Sequence, residues 1–188
     1  MDPKKLRKHY MQHMPKLNNA LQYVQSQMSD LPPSEFELES NLKPYASVKR
    51  KMEANHIKDP LELSDLVRGR LFFSPEFKAE DTLDIVQKLF GDKVSKIDKG
   101  APHSHEHGLQ YQGVVHVDLD IDGIKFELQV MPQEFKPYNG FAHQIYEKFR
   151  NPKTYDRLSD KQKKMLKKVH NDLFKKLNEH ADASRTSD

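Results

Sequence analysis

The sequence predicts an α+β fold, a mixed and partly antiparallel sheet flanked by helices, on three observations. Val114 to Ile121 alternates apolar and polar residues, Asp122-Gly123 is a type I′ turn signal, and Ile124 to Val130 alternates again, which defines a hairpin. Leu17, Leu21, Val24 and Met28 recur at helical spacing, as do Leu83, Val86 and Leu89. Between them, Asp65 to Phe73 concentrates Leu66, Val67, Leu71, Phe72 and Phe73, the composition of a buried strand.

The remaining elements follow in order. Residues 1–29 read as an N-terminal helical region, helical from residue 3, that Pro15 breaks or restarts and Pro32-Pro33 closes. Phe36 to Lys43 suits a short strand, Tyr45 to Asn55 a helix, Asp81 to Phe90 a helix stopped by Gly91, and Lys93 to Asp98 a strand. Gly100 to Gln110 is a loop rich in His, Gly and Pro. Helices follow at about 133–149 and about 158–179, separated at Asn151-Pro152. Residues 1–180 then make a single domain, and 181–188 a disordered tail.

A chain of 188 residues suits one domain with a real core. Its net charge of +3 is too small to demand a nucleic-acid partner, but polyphosphate ligands need only local positive charge. The absence of cysteine excludes disulfides, thiolate catalysis and cysteine-based zinc sites, and suits an exported protein as well as a cytoplasmic one. No apolar run approaches the roughly 18 residues of a membrane span, so no membrane partner is expected. Met1-Asp2-Pro3-Lys4-Lys5 lacks the apolar stretch of a signal peptide.

The hairpin makes a sharper statement. With a two-residue loop, Val115, Val117, Leu119, Ile121, Ile124, Phe126, Leu128 and Val130 share one face, a core face. The other face pairs Asp120 with Lys125, Asp118 with Glu127, and His116 with Gln129. Two carboxylates directly opposite each other are destabilising unless a metal ion, an Arg or Lys from elsewhere, or a raised pKa compensates. Either this is a solvated sheet face with its carboxylates in water, or it is a polar site.

Four segments between Lys43 and Lys148 resemble, in the same order, the synthetase domain of the RelA/SpoT family. Lys43-Pro44-Tyr45-Ala46-Ser47-Val48-Lys49-Arg50-Lys51 places Lys43, Ser47 and Lys51 at four-residue steps around a helix start. Asp65-Leu66-Val67-Arg68-Gly69-Arg70-Leu71 is similar to the family's Asp-Leu-x-x-x-Arg strand. Gly108-Leu109-Gln110-Tyr111-Gln112-Gly113 resembles its acceptor loop. Phe126-Glu127-Leu128-Gln129-Val130, followed by His143-Gln144-Ile145-Tyr146-Glu147-Lys148, resembles its Glu-Ile-Gln-Ile strand and His-x-x-Tyr-x-Lys helix.

The resemblance implies a nucleotidyltransferase-like synthetase fold and an ATP-dependent pyrophosphokinase that transfers pyrophosphate from ATP to a nucleotide 3′-hydroxyl. Asp65 and Glu127 would be catalytic and hold Mg²⁺. Lys43, Ser47, Lys51 and Arg70 would bind ATP phosphates. Tyr111 would stack on the acceptor base, with Gln112, Gln129 and His143 beside it. The site of action would be the cytoplasm, reached in the toxin-like branch by delivery as a secreted effector. Guanine nucleotides as acceptors would make it an alarmone synthetase. Adenine nucleotides, or the 3′ end of a tRNA, would make it a growth-arresting toxin.

Some features depart from the family or stand outside it. Met131-Pro132 replaces an Arg or His followed by Thr, so a cationic contact is missing unless Lys125, Lys136 or Arg150 supplies it. This departure supports a rival reading, a degenerate member that binds a nucleotide or a protein without turnover. Arg68 stands where the family often has a small residue, and the hydrolase half with its His-Asp metal motif is absent. His103, His105 and His107 have metal-ligand chemistry but no periodicity to fix them, so they read as a mobile loop and a lid over the acceptor. Lys161, Lys163, Lys164, Lys167, Lys168, Lys175 and Lys176 make the last helix basic, as a solvated amphipathic helix or one that contacts RNA.

Overall fold

The computed structural model describes residues 3–101 and 103–183. In chain order the elements are α1 (Pro3–Met28), β1 (Phe36–Leu42), α2 (Tyr45–Ala54), β2 (Val67–Phe73), α3 (Ala79–Phe90), β3 (Val94–Asp98), β4 (His103–Ser104) and β5 (Gln110–Tyr111). They continue as β6 (Val115–Ile121), β7 (Ile124–Pro132), α4 (Lys136–Arg150), α5 (Pro152–Tyr155) and α6 (Asp160–Ala183). The main sheet has the order β1-β2-β7-β6-β3. Only β2 and β7 run parallel within it; the other neighbours are antiparallel. The class is the α+β mixed sheet that the sequence predicts.

The hairpin forms in the predicted register, from Ile121 opposite Ile124 to Val115 opposite Val130. Asp122 and Gly123 take the positive φ values of 53° and 81° that a type I′ turn requires. The apolar residues of both strands are buried against Leu17, Val24 and Val86, which come from α1 and α3. On the opposite face the cover is partial. Phe72, Met131 and Phe135 pack with Ala142 of α4 and Phe174 and Leu177 of α6. The rest of that face carries the polar side chains.

Four local expectations change. Pro15 lies inside α1 without ending it. Proline removes the hydrogen bond to the carbonyl four residues earlier, but Pro15 and Met11 are both exposed, so water can satisfy that carbonyl. The predicted loop 100–110 contains a short ribbon, in which His103 opposes Tyr111 and Ser104 opposes Gln110. Asn151 caps the one-turn helix α5 by accepting from the Lys153 amide at 3.0 Å. Finally, 181–183 continue α6, whereas 184–188, the rest of the expected tail, lie outside the described residues.

Candidate active site

Asp65 sits just ahead of β2, where α2 and the end of β1 converge on it. Lys43 and Lys51 both bond the Asp65 Oδ2, Lys51 at 2.9 Å. Lys43 and Asp65 are buried, and the Lys43 amide donates to the Leu66 carbonyl at 2.8 Å, which fixes the junction. Burial alone would raise the Asp65 pKa, but hydrogen bonds and charge from the two lysines hold it below the ordinary value. Two ammonium groups share one carboxylate, so the cluster keeps an excess positive charge. Ser47 is half-buried in the first turn of α2, one turn before Lys51, and Pro44 offers that turn no capping side chain. The Ser47 and Val48 amides donate to the Pro44 carbonyl at 2.8 and 3.0 Å, which closes that turn.

The second part of the site is the polar face of the sheet. Register aligns Asn41, Arg68, Glu127, Asp118 and Lys96 across all five strands. Arg68 on β2 and Lys96 on β3 thus flank the opposed carboxylates Glu127 and Asp118. Register thus brings a basic residue beside each carboxylate, one of the compensations open to the hairpin, although the Arg68 Nε itself donates to Asn41 Oδ1 at 3.2 Å. The next row aligns Glu39, Arg70, Gln129 and His116. Gln129 accepts from Arg70 Nε at 3.4 Å and donates to Glu127 Oε1 at 3.1 Å, linking the guanidinium to the carboxylate. Burial pulls the Arg70 pKa down and Arg68 adds to this, while Glu39 and Glu127 oppose it. A groove of about 400 Å³ opens at the β1 edge of this face, lined by Glu39, Asn41, Arg68, Arg70 and Gln129 and reaching round to Gln25 of α1.

Helix α4 lies over this region. His143, Tyr146, Glu147 and Arg150 recur on one of its faces. Arg50 of α2 reaches Glu147 at 3.6 Å, and Arg150 lies over the Tyr146 ring at 5.5 Å. Partial burial lowers the His143 pKa; Glu147 opposes this, while Arg70, Arg68 and Arg150 add to it, so the ring senses both strand and helix. Lys148 is exposed and lies off that face. A second cavity of about 180 Å³ lies among His105, Leu109, Tyr146, Phe149 and Arg150.

Tyr111 is half-buried among four aromatic rings. Its ring meets His105 at 4.7 Å, Tyr146 at 5.7 Å, His170 at 4.9 Å and Phe174 at 4.6 Å. Burial is the main reason its phenol pKa is pushed up. Gln112 is half-buried and leads into Gly113. Gly113 has φ of 77°, and a Cβ there would sit 2.9 Å from the Asn178 backbone amide, so glycine lets α6 approach the loop. His107 stacks on Tyr155 at 3.7 Å, whereas His105 packs edge-on against Tyr111 and Tyr146.

Of the predicted cationic replacements for the Met131-Pro132 departure, Lys136 is engaged by Glu37 and Glu39 at the sheet edge. Lys125 is exposed opposite Asp120. Arg150 alone of the three borders the site; burial works to lower its pKa, but a hydrogen bond to Tyr146 and the charges of Glu147 and Asp65 raise it. Met131 itself is buried in the cluster of Phe72 and Phe135, so an apolar contact occupies the position. Sequence reasoning missed the roles of Arg50, Lys96 and Glu147. The register of β3 would have found Lys96, but no local signal links Arg50 to Glu147.

The fold and these clusters define a class: a mixed-sheet synthetase fold with cations and carboxylates on one sheet face. Solved structures agree on the fold, which is that of the small alarmone synthetases. Small alarmone synthetase 1 from Bacillus subtilis, solved bound to its product pppGpp, aligns with TM-score 0.58 and 15% identity over 95% of this chain and 97% of that one. Small alarmone synthetase 2 from Bacillus subtilis aligns with TM-score 0.52 and 13% identity over 97% of each chain. The Type VI effector Tas1, solved in complex with its immunity protein, aligns with TM-score 0.52 and 16% identity over the whole of both chains. No family model and no curated protein matches the sequence. Among the described residues, no helix is long and apolar enough to cross a membrane.

Proposed function

We propose that this protein is an ATP-dependent pyrophosphokinase that transfers a pyrophosphoryl group to the 3′-hydroxyl of a nucleotide. The observation that carries this reading is the coincidence of two clusters on the synthetase fold. Lys43, Lys51 and Asp65 form a phosphate-binding corner, and Arg70, Gln129 and Glu127 form a linked row beside it.

The residues fit a divalent cation. Asp65 Oδ1 is buried and has no hydrogen-bond partner, so it can accept an ion while Oδ2 keeps its lysines. Glu127 pairs in register with Arg68, three residues beyond Asp65 and one strand across, so the two backbone positions lie about 11 Å apart at 3.3 Å per residue and about 4.8 Å between strands. Bound Mg²⁺ would neutralise charge on the phosphate oxygens.

The chain's own residues do the rest. Lys43, Lys51 and Arg70 bind and orient the ATP phosphates, with Ser47 and the first turn of α2 beneath them. Glu127 orients the acceptor 3′-hydroxyl and takes its proton as that oxygen bonds the β-phosphorus of ATP, while the bond from the β-phosphorus to the α-phosphate oxygen breaks and AMP leaves. Gln129 holds the Glu127 carboxylate in place. Arg150 supplies the positive charge that Met131 does not. Tyr111 offers its ring to the acceptor base, with Gln112 and His143 as nearby polar groups.

A tRNA acceptor is favoured by one observation. The basic helix α6 runs beside the acceptor loop: Asn171 accepts from the Gln110 amide at 2.9 Å, and Lys167 lies against Gly108. Phosphate contacts of this kind bring steep salt dependence. The degenerate, non-catalytic reading is disfavoured by the unpartnered Asp65 oxygen.

The test is incubation with γ-labelled ATP and Mg²⁺, offering GDP, GTP, ADP, ATP and tRNA separately, followed by chromatography. Label in one acceptor product supports the proposal and names the acceptor. Label in none of them overturns it.

A further inference from the structure

We propose that His9, His13 and Asp59 bind a divalent transition-metal ion, zinc above all, which fastens α1 to the segment leading into Asp65. One ligand atom from each residue lies within 4.8 Å of the other two. His9 and His13 are one turn apart on α1, so both imidazoles leave the same helix face. Their ring centroids are 4.7 Å apart and nearly perpendicular.

Asp59 comes from a different part of the chain, at the start of a 3₁₀ turn over Pro60–Glu62. Its Oδ1 accepts from the Leu61 amide at 2.9 Å, which orients the carboxylate, and lies 3.5 Å from His9 Nε2. His13 Nε2 is buried and has no hydrogen-bond partner. A buried nitrogen left unsatisfied is costly, and coordination by a metal would satisfy it.

The donor set selects the ion. Two imidazoles and one carboxylate suit Zn²⁺ with a water in the fourth position, and Co²⁺ by the same geometry. Mg²⁺ prefers an all-oxygen shell and is a poor match, so this site is chemically distinct from the one at Asp65. His9 and Asp59 keep side-chain exposures of 38% and 46%, so an ion can enter from solvent.

Both ends of the clamp lead to the phosphate-binding corner. Tyr10, between the two histidines, donates from its hydroxyl to the Lys43 carbonyl at 2.9 Å, and its ring meets Tyr45 at 5.8 Å. Asp59 precedes Asp65 by six residues. Metal binding would therefore stiffen the backbone that carries Lys43 and Asp65. The binding site stands independently of the proposed reaction; only an effect on turnover rests on that reading.

The test uses the full chain, stripped of metal by dialysis and titrated with Co²⁺ alone, then with Zn²⁺. One equivalent of Co²⁺ should bind with visible d–d absorption, and Zn²⁺ should displace it. At a hundredfold excess over Kd, Zn²⁺ should raise Tm by about 5–10 °C. His9→Ala and His13→Ala should each weaken binding by more than about a hundredfold, since groups that merely orient a metal ligand already cost 10–100-fold. His9 is half-exposed, so its variant tests the site even where His13→Ala harms folding. The double variant His105→Ala/His107→Ala should bind as the wild type does. Absence of stoichiometric binding, or equal affinity in wild type and His9→Ala, would overturn the proposal. So would loss of the cobalt band in the His105/His107 variant alone.

Discussion

The two faces of the β6–β7 hairpin share one backbone and one alternation, yet they are held in different ways. The apolar face is satisfied by whatever large side chains α1 and α3 present, because hydrophobic burial is non-directional. The polar face depends on particular partners at particular positions: Gln129 links Arg70 to Glu127, and register sets Arg68 beside Glu127 and Lys96 beside Asp118. The cations come from strands far off in sequence. One face therefore tolerates change in shape and fails by loss of stability. The other tolerates change in packing and fails by loss of charge placement.

The largest effect that separates the faces comes from neighbouring residues. Phe126 is fully buried, and a Cβ built on Gly69 would lie 3.1 Å from its ring. Phe126→Ala should cost about 3–5 kcal/mol by denaturant unfolding. Glu127→Gln is near-isosteric and should change Tm little, whereas Asp65→Asn also strips Lys43 and Lys51 of their shared counter-ion and should lower Tm; each should lower transfer by about a hundredfold or more. Full activity in either variant would remove that residue from the mechanism.

The two faces also differ in how legible they are. The alternation from Val114 to Val130, with its Asp-Gly turn, gives the hairpin register pair by pair, because a two-residue loop leaves no freedom. It therefore places Glu127 opposite Asp118 without any tertiary information. It cannot name Arg68 or Lys96, since the order β2-β7-β6-β3 is a global choice. Arg68 reads as an oddity along the chain and as a counter-ion across the sheet. The loop 100–113 was less legible still: its ribbon depends on Tyr111 packing against His170 and Phe174, more than fifty residues later.

The covered part of the polar face has a pH signature. His170 is fully buried and neither ring nitrogen finds a hydrogen bond of normal geometry. Burial pushes its pKa down to about 4, with Asn171 opposing. The unfolded chain, with a pKa near 6.5, binds the proton first. This contribution to stability is therefore full above about pH 6.5 and is lost as pH falls toward 4, by up to about 3 kcal/mol. His170→Leu should flatten unfolding free energy across that window. Asp65 carries its own loss only below about pH 4, because its folded pKa lies under the usual carboxylate value. A wild-type curve already flat between pH 8 and 5 would break this account of His170.

Tyr111 joins packing to recognition, so its variants sharpen the contrast. Tyr111→Ala should raise acceptor KM about ten- to hundredfold, the worth of one base stack, while leaving ATP KM nearly unchanged. It should also lower Tm, because four rings lose a neighbour. Tyr111→Phe keeps the ring and should restore both. A Tyr111→Ala enzyme with normal acceptor KM would make the ring a packing element only.

The smallest effect tests the polar face most directly. Directly opposed like charges cost about 0.2–1 kcal/mol, and Glu127 and Asp118 are such a pair. If Arg68 offsets that repulsion, Arg68→Met should destabilise the fold by under about 1 kcal/mol at low salt, and less as salt screens the charges. Arg68 also donates to Asn41 Oδ1 at 3.2 Å, so loss of that hydrogen bond could produce a similar number. A double-mutant cycle separates the two causes. Asp118→Asn removes one of the opposed charges but leaves the contact with Asn41 untouched. With electrostatic compensation, Arg68→Met should cost less in the Asp118→Asn background than in the wild type. With the hydrogen bond alone, the cost should be the same in both backgrounds and should not change with salt.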